Sequence, residues 1–217
     1  VSKIYVAGQA RLIEQIGTEF SNSGHCWARA LHERDTGQYD VVEEVPGVAA
    51  CAMMLRREAL QDEPVFDGEL FLFYEELDLT IRLRGRGWRI LYVPTAIVHH
   101  KGSQSINIST KKPLLFKQFY SNRNRLKILA KYYPTGVLFK SLHLILASLA
   151  YWNAMFLWHG GPDLLLRSIA QQAAFTIKGV RERGAVPGVD TALWLPWMRQ
   201  LGVREMLSIH ATGQRRG

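Results

Sequence analysis

The stretch Phe66-Asp67-Gly68-Glu69-Leu70-Phe71-Leu72-Phe73-Tyr74-Glu75-Glu76-Leu77-Asp78-Leu79 decides how this chain is read. An apolar, aromatic run from Leu70 to Tyr74 passes directly into three carboxylates, Glu75, Glu76 and Asp78. Leu77 and Ile81, and Leu79 and Leu83, stand four apart, so residues 75–84 are expected to form a helix with an apolar face. Acids in its first turn and Arg82, Arg84 and Arg86 at its end complement the helix dipole, and Gly85 or Gly87 supplies the stop. Asp78 and Arg82 are spaced as a surface pair worth about 0.3 kcal/mol. A strand follows over Trp88 to Val93, ending at Pro94, and His99 and His100 come next. From residue types alone two readings stand. These are ordinary first-turn charges and exposed histidines, or they are acids and imidazoles gathered at the ends of apolar elements, as a catalytic or metal site requires.

The order of the pieces separates the two. The acidic stretch is followed by Arg82, Gly87, Tyr92-Val93-Pro94, Val98-His99-His100 and Gly102-Ser103. Upstream, Gly47 to Arg57 ends in Met53-Met54-Leu55-Arg56-Arg57, and downstream lies Tyr120-Ser121-Asn122-Arg123-Asn124. This succession, over about residues 38–133, resembles the C-terminal half of family-2 glycosyltransferases, most nearly the rhamnosyltransferase-like enzymes of bacterial polysaccharide assembly. The family usually has aspartate where Glu76 stands and often a glycine near Ala50.

The resemblance implies an α/β chain: residues 1–134 as the C-terminal half of a GT-A (nucleotide-diphospho-sugar transferase) catalytic domain, and residues 135–217 as a helical, membrane-associating tail. It implies inverting transfer of a rhamnose-like sugar from a nucleotide-diphospho-sugar to a lipid-linked or polysaccharide acceptor. Glu76 then sits at the position of the catalytic base, and Glu75 and Asp78 flank it, orienting the acceptor or raising the base's pKa by like-charge repulsion. Arg82, Arg123 and Asn124 become contacts to acceptor or phosphate. His100, rather than His99, becomes a ligand to a divalent metal, Mg²⁺ or Mn²⁺. The family's donor-binding half and its Asp-x-Asp motif are expected upstream. Asp35 and Asp40 are isolated in a polar loop, so the chain reads as a fragment.

Composition bounds the alternatives. The 217 residues are 47% hydrophobic and carry a formal charge of +8, enough apolar material for a core and a bias towards anionic partners. The basic residues are interleaved with acids and show no aromatic-basic stripe, which argues against nucleic acid. Cys26 and Cys51 read as small core residues, not as a disulfide or zinc framework. A non-catalytic, transferase-like module binding an anionic glycan or lipid carrier is the competing reading, fed by Glu76 in place of aspartate and by the absent donor half.

Elsewhere, Ile4 to Ala7 suggests a strand, Leu12 to Ile16 a helical turn, residues 31–44 a polar loop and Val45 to Leu55 a buried strand. Arg56 to Leu60 starts a short helix, residues 101–112 form a mobile loop, and Phe116 to Tyr133 is a helix ended by Pro134. Leu142 to Trp158 is almost wholly apolar, at the lower edge of a membrane-spanning length. Trp152 and Trp158 are of an interfacial type, while His143 and Asn153 are costly at mid-bilayer. After Gly160-Gly161-Pro162, a basic amphipathic helix at about 163–183 carries Arg167, Lys178, Arg181 and Arg183. A plain buried helix is the alternative. The expectation is docking on the cytoplasmic face of the bacterial inner membrane. The remainder, with Trp194, Trp197 and Met198, is weakly patterned.

Overall fold

Strand β1 (Ser2–Val6) runs between β2 (Ile13–Gln15) and the long β6 (Leu91–His100), and β6 also carries β5 (Glu43–Glu44) on its other edge. The β1–β6 pairing is parallel and the other two are antiparallel, so the sheet is mixed. A separate hairpin pairs β3 (Thr18–Phe20) with β4 (Cys26–Ala28). These elements belong to a computed structural model, which describes residues 1–102 and 111–206. Most of the loop expected at 101–112 lies outside the described residues.

β6 does not stop at Pro94 but continues to His100. The register jumps from Ser2↔Val93 to Lys3↔Ile97. Pro94 therefore falls in a bulge, where its missing N–H leaves no gap in the ladder. Leu12 to Ile16 is a strand and turn rather than a helical turn, because Ile13 pairs with Tyr5 of β1 and is fully buried there. Val45 to Leu55 is buried in part but is not a strand. Its backbone groups go elsewhere: Val45 N–H to the Ile90 carbonyl at 2.9 Å, Val48 N–H to Thr80 Oγ1 at 3.1 Å, and the Gly47 carbonyl to Thr18 N–H at 3.1 Å. The small residues let this segment lie directly along α1 (Glu75–Gly85).

Helix α1 is the centre of the molecule, not a surface helix. Its two i,i+4 pairs face two different cores. Leu77 and Ile81 pack with Phe20, Leu70, Ile128 and Tyr133. Leu79 and Leu83 pack with Ile13, Val45, Val48 and Tyr92. Each fully buried leucine contributes about 2 kcal/mol from burial alone. The terminal arginines are buried too. Arg84 reaches Glu44 and the Val45 carbonyl and stacks on Trp197, 3.7 Å from the ring centre. Asp35 and Asp40, expected to be isolated, clamp the buried Lys3 at 2.9 and 2.5 Å. Of the cysteines, Cys26 is half-buried, whereas Cys51 is exposed and not a core residue.

Helix α2 (Pro113–Tyr132) opens with proline at its first position, where no intrahelical N–H is needed. Helix α3 (Thr135–Arg181) breaks at Gly161, whose φ of 80° and ψ of 176° are open to glycine and not to a side-chain-bearing residue. The break divides it into 135–160 and 162–181, as Gly160-Gly161-Pro162 leads one to expect. The second half returns along α2 so closely that a Cβ on Gly179 would sit 2.4 Å from the Lys127 carbonyl oxygen. Asn153 and Gln172, one on each half, hydrogen bond at 3.0 Å. Asn153 is thus satisfied within the protein.

No core boundary falls at Pro134. Ile145 and Trp194 share one cluster with Phe20, Leu77 and Ile128, and Lys127 pairs with Glu182 at 2.9 Å. Residues 135–206 therefore complete the core of 1–134 and do not form a detachable tail. Trp194, on the one-turn α4 (Thr191–Trp194), is fully buried between Phe20 and Tyr133, so the weakly patterned C-terminal region supplies a core residue.

Candidate active site

The acids at the start of α1 are presented by an unusual turn. Phe71, Phe73 and Tyr74 all have positive φ, at 62°, 64° and 71°, a region costly for aromatic residues. Such backbone persists only where its surroundings over-determine it, and here Asn124 does so. Its Nδ2 donates to the carbonyls of Leu70, Leu72 and Phe73 at 2.8, 2.9 and 2.8 Å. Arg123 reinforces the clamp. Its guanidinium lies between the rings of Tyr120 and Phe175, at 4.5 and 4.2 Å, and points Nη2 at the Glu69 and Leu70 carbonyls at 3.4 Å. The pair expected to contact acceptor or phosphate is thus turned towards the protein's own backbone, and neither residue lines the cleft.

The clamp delivers Glu76 to the wall of a cleft of about 750 Å³. Trp27, Tyr39, Phe73, Tyr74 and Trp152 give this cleft aromatic walls, and Arg29, Arg125, Gln118 and Asn122 give it polar ones. Glu76 is half-buried and accepts a long hydrogen bond from Ala50 N–H at 3.4 Å. Burial pushes its carboxyl up to about 7; the Ala50 N–H opposes this and the neighbouring Glu75 adds to it. Burial also raises Glu75, whose Oε2 has no partner among the described residues. Cys26 lines the same cleft, but burial, with Glu76 and Glu75 nearby, keeps its thiol protonated, so it is no nucleophile.

Asp78 and Arg82 stand apart from this arrangement. Their ion pair, at 2.7 Å, is buried rather than on the surface. Asp78 Oδ1 also accepts from Tyr132 at 2.7 Å and Lys131 at 3.3 Å. Arg82 spends its remaining donors on the Pro64 and Val65 carbonyls, at 3.1 and 2.6 Å, and on Glu63 Oε2 at 3.5 Å. Neither residue lines the cleft.

His100 ends β6 with its Nδ1 2.8 Å from Glu14 Oε1, while His99 lies against the Tyr5 ring. One imidazole and one carboxylate supply two ligands, fewer than the six or more oxygens a Mg²⁺ or Ca²⁺ site takes, and among the described residues no cluster of three such ligands occurs. Two cleft residues had no sequence signal of their own. His25 sits in a region without clear periodicity, and Arg125 is the residue directly after the Arg123–Asn124 pair.

A family model described as glycosyltransferase like family 2 matches residues 10–125. The chain belongs to that family. The matched region of this family-2-like glycosyltransferase runs from the turn before β2 into α2 and includes Glu75, Glu76, Asp78, His100, Arg123 and Asn124. No curated protein and no solved structure matches the chain.

Proposed function

We propose that this glycosyltransferase moves a rhamnose-like sugar, with inversion, from a nucleotide-diphospho-sugar to a hydroxyl of a lipid-linked or polysaccharide acceptor, and that Glu76 is the general base. The observation that carries the proposal is one carboxylate, half-buried on the wall of an aromatic-lined cleft and tuned to about 7. A base does most near neutrality when its pKa lies there. Glu76 takes the proton from the acceptor hydroxyl as that oxygen bonds to the anomeric carbon. The carbon–oxygen bond to the diphosphate breaks on the opposite side, and the nucleoside diphosphate departs with the electron pair. The aromatic walls suit the apolar faces of a sugar ring, and holding the hydroxyl in line supplies the rest. Glu75, next to the base and also raised, keeps the local field unfavourable to a second charge and so favours proton uptake by Glu76. Glu14 and His100 offer two ligands towards a Mg²⁺ or Mn²⁺ ion.

Work at a membrane surface is supported by α3. Its inner side contributes Trp152 to the cleft wall, while Phe139, Leu142, Leu146 and Trp158 are exposed. It is long and apolar enough to cross a bilayer, and only 33% of its most apolar window is buried. We place this surface against the cytoplasmic face of the bacterial inner membrane. The test is transfer of labelled rhamnose from its nucleotide-diphospho donor into a membrane fraction. Wild type is expected to transfer, Glu76→Gln to lose at least about a hundredfold, and Glu75→Gln to retain most activity. Near-normal turnover by Glu76→Gln would remove the base assignment.

A further inference from the structure

Arg125 is 1% exposed, yet none of its hydrogen-bond partners is a carboxylate. Its Nη1 reaches His25 Nε2 at 2.8 Å and the Ser23 carbonyl at 3.4 Å, and its Nη2 reaches Asn122 Oδ1 at 3.5 Å. Its Nε is buried with no hydrogen-bond partner among the described residues. The contrast with the other buried cations is sharp. Lys3, Arg82, Arg84, Lys127 and Lys131 each have a carboxylate within 3.5 Å. A buried charge without a counter-ion costs several kcal/mol, so folds normally pair it or expel it. The uncompensated one here lines the cleft that holds Glu76, beside His25. The two other arginines of that cleft are already neutralised, Arg29 by Glu43 at 2.7 Å and Arg199 by Glu19 at 2.9 Å.

We infer that Arg125, with His25 in front of it, is a subsite for an acidic group carried by the acceptor, a phosphate or a sugar carboxylate, so that this enzyme glycosylates an anionic acceptor. The inference rests on the reading of the cleft as the acceptor site. An oxyanion entering beside His25 takes over the Nη1 donor now spent on the imidazole ring, and charge-assisted bonds of this kind are the strong ones. His25 is held in place from two sides. Its Nδ1 meets Ser23 Oγ at 2.9 Å, and its Nε2 meets Ser148 Oγ, on α3, at 3.1 Å. The subsite therefore adjoins the helix whose outer face is apolar, which suits a head group presented at a lipid surface.

The experiment uses the intrinsic fluorescence of Trp27 and Trp152, both on the cleft wall, with the whole chain titrated by glucose 1-phosphate, methyl glucuronide, neutral methyl glucoside and UDP. At least one of the two acidic sugars is expected to bind tenfold or more tighter than methyl glucoside, and which of them does so names phosphate or carboxylate. His25→Glu, which places a carboxylate beside Arg125, is expected to abolish that preference while leaving the melting temperature equal or higher; Arg125→Met should abolish it as well. Equal binding of acidic and neutral sugars would overturn the anionic subsite and leave the acceptor cleft standing. A response to UDP alone would overturn both. An acidic preference that survives in His25→Glu would show that the charge lies elsewhere and would also overturn the assignment.

Discussion

Asn124 Nδ2 donates to the Phe73 carbonyl at 2.8 Å, tying the middle of α2 to the residue before the αL cap of α1. The same amide holds Leu70 and Leu72, so one side chain fixes three carbonyls of a turn that contains three positive-φ aromatics. Glu76 follows that turn by two residues. The position of Glu76 is thus set from α2, 48 positions along the chain.

Asn124→Ala should leave the Leu72 and Phe73 carbonyls without that donor, while Leu70 keeps Arg123 and the Leu72 N–H. The expected cost is about 2–3 kcal/mol in denaturant unfolding. Relaxation of the turn moves Glu76, and a misplacement on the order of 1 Å lowers transfer by about a hundredfold. Asn124→Asp is expected to do at least as badly, since it sets a carboxylate against carbonyl oxygens. Both effects are read in one preparation, by urea titration and by turnover; a stable, fully active Asn124→Ala would show that the turn holds itself.

Glu76 links activity and stability to pH in opposite directions. In the proposed role of base it must be ionised, so transfer should rise with pH through about 7. Its folded pKa lies above the ordinary 4.5. Between those two values the folded state holds the proton more tightly than the unfolded chain does. The stability from this group is fully present below the unfolded pKa and is lost as pH rises through the folded one. Glu76→Gln should melt at nearly the wild-type temperature at pH 4. At pH 8 it should be more stable than wild type by up to about 3 kcal/mol. A Glu76→Gln protein with no pH-dependent gain would mean that Glu76 is not buried against charge.

How much of this was legible beforehand follows from which forces are local. Helix α1 and its stop near Gly87 were readable because the spacing of Leu77, Leu79, Ile81 and Leu83 and the glycine after them are local patterns, whereas its left-handed N-cap at Tyr74 was not, and the break at Gly160-Gly161-Pro162 was readable for the same local reason. The two faces of α1 belong to two cores, but spacing alone cannot tell a helix with one partner from one buried between two. Arg82 and Arg84 therefore read as solvent-facing, although they are buried with Asp78 and Glu44. Val45 to Leu55 has the composition of a strand, yet its donors find Thr80 Oγ1 and a distant carbonyl, partners more than 30 positions away. Glu76 could be singled out from the order of motifs. The clamp role of Asn124 and the unpaired state of Arg125 could not, because both depend on what α2 meets in space.

Asp78 should separate from Glu76 when each is neutralised. It balances Arg82 at 2.7 Å and Lys131 at 3.3 Å inside the protein. Removing one partner of a buried network costs about 3–5 kcal/mol. The value should fall at the low end, because Arg82 keeps two carbonyls and Lys131 keeps Glu182 at 3.0 Å. Asp78→Asn is therefore expected to lower the urea midpoint strongly, while the folded fraction transfers sugar at close to the wild-type rate. A protein of unchanged stability but no turnover would instead place Asp78 in the chemistry.

The last prediction concerns the outer face of α3. Phe139, Leu142 and Leu146, spaced three and four apart, form one stripe, and they are exposed by 79%, 46% and 55%. Trp152, an expected interface residue, is buried against α2 at 3% exposure and cannot take part, whereas Trp158 is 86% exposed near the kink. The stripe and Trp158 form an apolar surface with Arg167 and Arg181 exposed further along the helix, the combination that binds acidic bilayers. Placing the three stripe residues in lipid should be worth about 4 kcal/mol in all, or roughly a thousandfold in partitioning. Cutting the chain after Pro134 would strip Ile145, Phe156 and Trp194 from the cores, so point changes are the sound test. Phe139→Ser, Leu142→Ser and Leu146→Ser combined should keep the helical circular-dichroism signal, because these side chains hold nothing inside. Wild type is expected to float with vesicles containing acidic phospholipid, less so at high salt as the arginines are screened. The triple variant is expected to stay at the bottom of the gradient, and equal flotation of the two proteins would show that this stripe is not the membrane contact.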